Sequence, residues 1–220
     1  MIVQSLRLSL LVVSIATVVI AIVGTAFAYL LAKRRFRGRE LLDALLTLPM
    51  VLPPTVTGYY LILLLGRRGV LGEPLYALTG WTVTFTWVAA VIASTVVALP
   101  LMIKSARAAI ESVDPEYETA SLLMGKSEPE TFFRITLPLA GRGILAGVIL
   151  SFARAFGEFG ATLMLAGNIQ GKTQTMPLAI YEAVAGGEDA TAKWLALILT
   201  GISVTVVYLT NRLSRPAPRS

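Results

Sequence analysis

Five stretches of this chain are apolar for about the length a helix needs to cross a bilayer, and the polar residues gather between them. The stretches run over 8–32, 41–65, 82–103, 143–166 and 194–210. At a rise of 1.5 Å per residue, about 20 residues cross the ~30 Å hydrocarbon core. Each stretch therefore predicts one transmembrane helix. The first contains no charged residue, the second has Asp43 at its mouth, and the fourth holds Arg154 and Glu158 well inside it. An Ala26-Phe27-Ala28 triplet near the end of the first resembles a signal-cleavage site. The run before it is longer than the about 7–15 residues of a signal's apolar region, and the basic segment KRRFRGR follows, so a retained span is expected.

Composition agrees. Of 220 residues, 55% are hydrophobic and 15% charged, against about a quarter charged in soluble domains. The net charge of +6 comes from cations between apolar stretches, where membrane topology explains it without nucleic acid. Lys33, Arg34, Arg35, Arg37 and Arg39 follow the first stretch, and Lys104, Arg107, Lys126, Arg134 and Arg142 lie between the third and fourth. Arg212, Arg215 and Arg219 follow the fifth, whereas only Arg7, Arg67, Arg68, Lys172 and Lys193 fall on the other side. Basic residues accumulate in cytoplasmic loops, so an external N-terminus and a cytoplasmic C-terminus are expected. The expected fold is an all-α integral membrane protein of five transmembrane helices, one domain over 1–220.

Cysteine and histidine are both absent, which removes disulfides, thiol chemistry, histidine acid–base catalysis and the commonest zinc ligands. No nucleophile–base constellation is visible, and an enzyme is not expected. No phosphate-binding G-x-x-x-x-G-K-[ST] loop is present. Gly171-Lys172-Thr173 supplies its last three places, but Ala166 stands where the first glycine belongs.

The cytoplasmic segment VDPEYETASLLMGKSEPETFFRITLP, residues 113–138, reads as two short helices. Asp114 is a candidate cap and Pro115 a first helical residue, with Glu116 and Glu118 favouring the positive helix end. Gly125 suits a left-handed stop after Leu123 and Met124. Ser127 and Glu130 form a capping-box pattern around Pro129 for the second helix, which Pro138 is expected to stop. The pair would expose Tyr117, Leu122, Leu123 and Met124. Such a patch marks a partner site or an amphipathic helix lying on lipid. The first helix carries acids and no Lys or Arg, which suits anionic lipid poorly.

Here the chain resembles the permeases of ABC importers, whose cytoplasmic loop carries Glu-Ala-Ala, three residues, Gly, nine residues and Ile-x-Leu-Pro. Gly125, nine residues, then Ile135, Thr136, Leu137 and Pro138 match that second half. Thr119, Ala120 and Ser121 occupy the Glu-Ala-Ala places, with the acid, Glu118, one position early, as in the molybdate form. LPMVLPPTVTGYYLILLLGRRGVLGEPLY (48–76) and SFARAFGEFGAT (151–162) are likewise similar to the molybdate/tungstate permease family, sulfate permeases being near relatives. The resemblance implies a type I importer fold and an ATPase-coupling role for Pro115, Glu118, Ala120, Leu122, Leu123, Gly125, Ile135, Leu137 and Pro138. It implies a second copy of the chain, two ATPase subunits that hold ATP and Mg, an external oxyanion-binding protein, and residence in the inner membrane. This chain itself is expected to bind no cofactor and no metal. A sulfate, thiosulfate or other anion permease is the near alternative, and a self-contained channel or secondary transporter a more distant one.

Within the spans, Pro49, Pro53 and Pro54 remove backbone donors, so the second helix must kink or break. The break is either structural alone or places Pro53, Pro54, Thr55 and Thr57 along a translocation path. Gly143, Gly147, Ala153, Gly157, Gly160 and Ala161 suit close helix packing, within the chain or, as the resemblance implies, between two copies. Gly66-Arg67-Arg68-Gly69 is a basic outer turn that meets headgroups or attracts acids and oxyanions. Met176 to Val184 suggests a short helix near the outer mouth. An unpaired Arg154 would cost at least about 2.5–3.5 kcal/mol at the bilayer centre, so Glu158, four residues on, is expected to neutralise it. Either the pair fixes packing, or Arg154 offers a counter-charge to a passing dianion beside Gly157, Glu158 and Gly160.

Overall fold

The computed structural model of the chain describes residues 2–213. Its longest helix, α1 (Ile2–Lys33), forms from the first apolar stretch. Buried positions Ser9, Val12, Ala16, Ile20, Gly24, Ala28 and Leu31 recur at three and four residues, drawing one stripe along it. The stripe packs against α5 (Trp87–Glu111), the third predicted span. Small side chains set the distance: Ala89, Ala90, Ala93, Ala98 and Ala106 of α5 are fully buried. At Gly24 a Cβ would lie 2.5 Å from Met102 Cγ. Close backbones of this kind supply packing attraction where no hydrophobic effect separates helix from lipid. Thr86 caps α5, accepting from the Ala89 amide at 3.2 Å. The helix then runs beyond the predicted end at 103, because Lys104 and Arg107 find a partner in Asp43 (2.7 and 3.0 Å).

The second predicted span is two helices. α2 (Arg39–Val51) and α3 (Pro54–Leu65) meet at 119°. Residues before proline are pushed to extended backbone, and both Leu52 (ψ 144°) and Pro53 (ψ 137°) are extended. Pro49, by contrast, is absorbed within α2. After the tight turn at 66–71 comes α4 (Gly72–Thr79).

Beyond α5 the segment 113–138 holds α6 (Pro115–Leu123) and α7 (Glu128–Thr131). The expected stop at Pro138 does not occur. α7 passes through a π-helical turn (Phe132–Thr136) directly into α8 (Leu137–Phe156), a rod over 128–156. The Leu137 amide reaches back five residues to the Phe132 carbonyl. This wider turn brings Pro138 to the second position of α8, where a missing N–H is tolerated. α8 runs antiparallel to α5: a Cβ on Gly143 would meet Ala109 Cβ at 2.5 Å, and one on Gly147 would meet Ser105 Cβ at 2.9 Å. These two glycines therefore serve packing within the chain.

The fourth predicted span also breaks. α8 ends at Phe156 and α9 (Gly160–Ala166) begins after three residues. α10 (Met176–Ala185) matches the short outer helix and packs on α11 (Asp189–Leu213), the last span. Thus α1, α5, the 128–156 rod and α11 are each long and apolar enough to cross a membrane, and α2 with α3 qualifies only as a bent pair. Arg215, Arg219 and the tail RPAPRS lie outside the described residues.

Candidate functional site

Two places gather the residues singled out from sequence. The first is where the two broken helices meet. A Cβ on Gly160, the first residue of α9, would lie 3.1 Å from Pro54 Cβ and 3.3 Å from both Thr55 Cγ2 and its amide nitrogen. One turn further, a Cβ on Gly58 would lie 2.9 Å from Ala161 Cα and 2.7 Å from Met164 Cβ. Absent side chains let α3 and α9 start side by side, so both interruptions share one locus. Irregular backbone at membrane depth is tolerated where protein surrounds it or a cavity is lined by it.

Glu158 occupies the second interruption and is 2% exposed. Arg154 Nη1 donates to its Oε2 at 2.8 Å, and the Ala161 amide donates to its Oε1 at 2.8 Å. The expected pair forms, but not along one continuous helix: Arg154 is in the last turn of α8 and Glu158 lies beyond its end. The carboxylate thereby neutralises the guanidinium and also fills an amide at the start of α9, where the helix end favours negative charge. Arg154 keeps 34% of its side chain exposed, and Gly157 is exposed too. The hydroxyls of Thr57, Ser151 and Thr162 are buried near these breaks without a hydrogen-bond partner among the described residues. Pro53 and Thr55 are exposed.

The second place is α6. Asp114 Oδ1 accepts from the Glu116 amide at 2.9 Å, and Gly125 takes φ +80°, so cap and stop are as expected. Tyr117, Leu122, Leu123 and Met124 are 59%, 45%, 84% and 73% exposed, an apolar patch on a helix otherwise flanked by acids. Pro115, Ala120 and Gly125 are exposed with it, as is Pro138, while Ile135 and Leu137 are half-buried. Glu118 turns the other way. Lys33 Nζ pairs with its Oε2 at 2.8 Å, and the Thr136 hydroxyl donates to its Oε1 at 2.6 Å. Alongside, Ser121 and Thr131 share a buried hydroxyl–hydroxyl bond of 2.8 Å, and Arg34 pairs with Glu128. Tyr29 meets the Phe132 ring edge-on with centroids 4.7 Å apart.

Sequence reasoning missed this seam between α1 and the α6–α7 segment, since Lys33 and Glu118 are 85 positions apart. It also missed a polar anchor on the other side. The Gln174 amide donates to the Glu182 carboxylate, which also accepts from Asn168 Nδ2 at 2.7 Å. Ser9 Oγ accepts from the Met176 amide at 2.7 Å, tying loop 167–175 and α10 to α1. In the basic turn Arg67 is engaged by Tyr76, with its Nη2 2.7 Å from the phenol oxygen.

The comparisons with known proteins agree with one another. The family model described as "Binding-protein-dependent transport system inner membrane component" matches residues 24–219. The chain is 43% identical over 216 residues to the "Molybdenum transport system permease protein ModB" of Escherichia coli (strain K12), covering 96% of this chain and 94% of that protein. It is 44% identical over 193 residues to the "Putative molybdenum transport system permease protein YvgM" of Bacillus subtilis (strain 168), covering 87% and 85%. Among solved structures, a bacterial ABC transporter for import of the acidic polysaccharide alginate superposes with TM-score 0.77 at 14% identity, over 99% of this chain and 80% of that one. An amino acid ABC transporter gives TM-score 0.66 at 16% identity, over 97% and 92%.

Proposed function

Because the chain belongs to the family of binding-protein-dependent transport system inner membrane components, we propose that it is the permease through which an ATP-driven importer passes molybdate or tungstate. It is a multi-pass membrane subunit of a transporter and not an enzyme. The observation that carries the substrate class is the 43% identity to a molybdenum permease over 96% of the chain.

Two copies assemble with two ATPase subunits, which hold ATP and Mg, and an external binding protein delivers the oxyanion. The N-terminus lies outside and the C-terminus in the cytoplasm. The patch of Tyr117, Leu123 and Met124, with the less exposed Leu122 at its rim, docks on the ATPase. When ATP draws the ATPases together, α6 moves with them, and the 128–156 rod carries that motion to the break at Glu158. The population shifts between inward- and outward-facing states because docking contacts differ between them. Along the path, Arg154 offers a counter-charge that Glu158 keeps from holding the dianion. The exposed Thr55 and the buried, unpartnered hydroxyls of Thr57, Ser151 and Thr162 support a polar locus there.

The test is ATPase stimulation in liposomes holding permease and ATPase. Binding protein loaded with molybdate or tungstate is expected to raise the hydrolysis rate. Stimulation by sulfate-loaded protein alone would overturn the substrate assignment.

A further inference from the structure

We propose that Glu118 is a positioning residue inside the permease, locking the coupling helix to α1 as well as to α8, and is not a contact to the ATPase. This rests on the reading of α6 as the ATPase-docking helix.

The geometry of α6 divides its residues between two faces. Glu118, Ser121 and Leu122 lie within about 100° of one another at 100° per residue, and Glu118 and Leu122 line a cavity of about 190 Å³ together with Tyr29, Lys33, Phe132 and Thr136. Tyr117, Ala120, Leu123 and Met124 occupy the opposite arc and are exposed. A partner seated on that arc faces away from Glu118. Both carboxylate oxygens are moreover already used: Oε2 by Lys33 at 2.8 Å and Oε1 by the Thr136 hydroxyl at 2.6 Å.

Those two partners sit at informative places. Lys33 is the last residue of α1. Thr136 is the last residue of the π-helical turn, 1% exposed, immediately before α8. One carboxylate thus ties the coupling helix to the ends of two membrane helices. The Arg34–Glu128 pair and the Tyr29–Phe132 ring contact run along the same seam. Since α1 packs along α5, a displacement of α6 is delivered to the α1–α5 pair directly and not through α8 alone. This also gives the acid at 118 a role suited to its place: one residue away from position 119, whose Thr119 hydroxyl bonds only its own helix, at the Pro115 carbonyl (2.9 Å).

The experiment uses the complete transporter in proteoliposomes, with Glu118→Gln, Lys33→Gln and the charge-exchanged pair Lys33→Glu with Glu118→Lys. Two quantities are read: ATPase co-purified per permease, and molybdate transported per ATP hydrolysed. Both single variants are expected to keep full ATPase association while transport per ATP falls about two- to fivefold, the range of one ion pair that retains some solvent exposure. The exchanged pair is expected to recover most of the loss, which a merely destabilised loop would not. Loss of ATPase association in Glu118→Gln places the carboxylate on the docking surface and overturns the inference, as does unchanged transport per ATP in both single variants or failure of the exchange to restore it. Leu123→Asp separates the underlying reading. If the wild-type complex couples and Leu123→Asp retains its ATPase, the docking role of α6 fails, and the inference fails with it.

Discussion

Glu158 carries two obligations on one buried carboxylate, and substitutions separate them. Glutamine keeps an acceptor for the Ala161 amide but leaves Arg154 without its counter-charge. Alanine removes both. We therefore expect Glu158→Ala to lower the unfolding free energy by about 1–3 kcal/mol, the cost of stranding a buried donor and a partner charge. Glu158→Gln should lose less, while oxyanion uptake slows. Thermal unfolding in detergent and uptake by the reconstituted complex measure the two effects. If Glu158→Gln unfolds as readily as Glu158→Ala, the pair is structural and the transport role for Arg154 is wrong. The ion pair itself was readable, because charges four apart at membrane depth must find each other. The capping of α9 was not, because it depends on a helix break at Gly157 that no single residue announces; the segment is apolar on both sides of it.

At the scale of elements, the proline chemistry of the second span was legible and its outcome was not fully so. Prolines at 53 and 54 dictate extended backbone locally, but the 119° angle follows from where α2 and α3 find partners, at Asp43 and at Gly160. Pro138 shows the converse. A proline expected to end a helix lies in a continuous rod, because the π-helical turn before it accommodates the missing donor. Its closing residue, Thr136, is held by Glu118, a contact across 18 positions. The helix α6 was legible nearly to the residue, since Asp114, Pro115 and Gly125 act within one turn of themselves. Two expectations belong to this scale. Gly58→Leu places a Cβ within 2.7 Å of Met164 Cβ and 2.9 Å of the Ala161 backbone, which should wedge α3 from α9 and cost about 1–3 kcal/mol. Lowered thermal stability with uptake lost would confirm the close approach; a wild-type melting curve would contradict it. Leu123→Asp puts a charge on the most exposed apolar side chain of α6, 84% exposed. It should leave the permease folded and abolish co-purification with the ATPase, whereas retained association would move the docking surface elsewhere.

For the whole molecule, the apolar segments were legible in the sequence, whereas sidedness is an expectation resting on lysine and arginine alone, and reporter fusions at the two ends check it. An external N-terminus and cytoplasmic C-terminus are expected. The architecture that follows is a packed α1–α5–α8 core, a short helix, α6, with an exposed apolar patch, and two interrupted helices meeting at a charged break. The proposed function has energy enter through α6. The most direct measurement is molybdate uptake into proteoliposomes that contain the purified chain, with and without the ATPase subunit, binding protein and ATP. The account predicts uptake only when all are present. Uptake or ion conduction by the chain alone, without ATP, would contradict it.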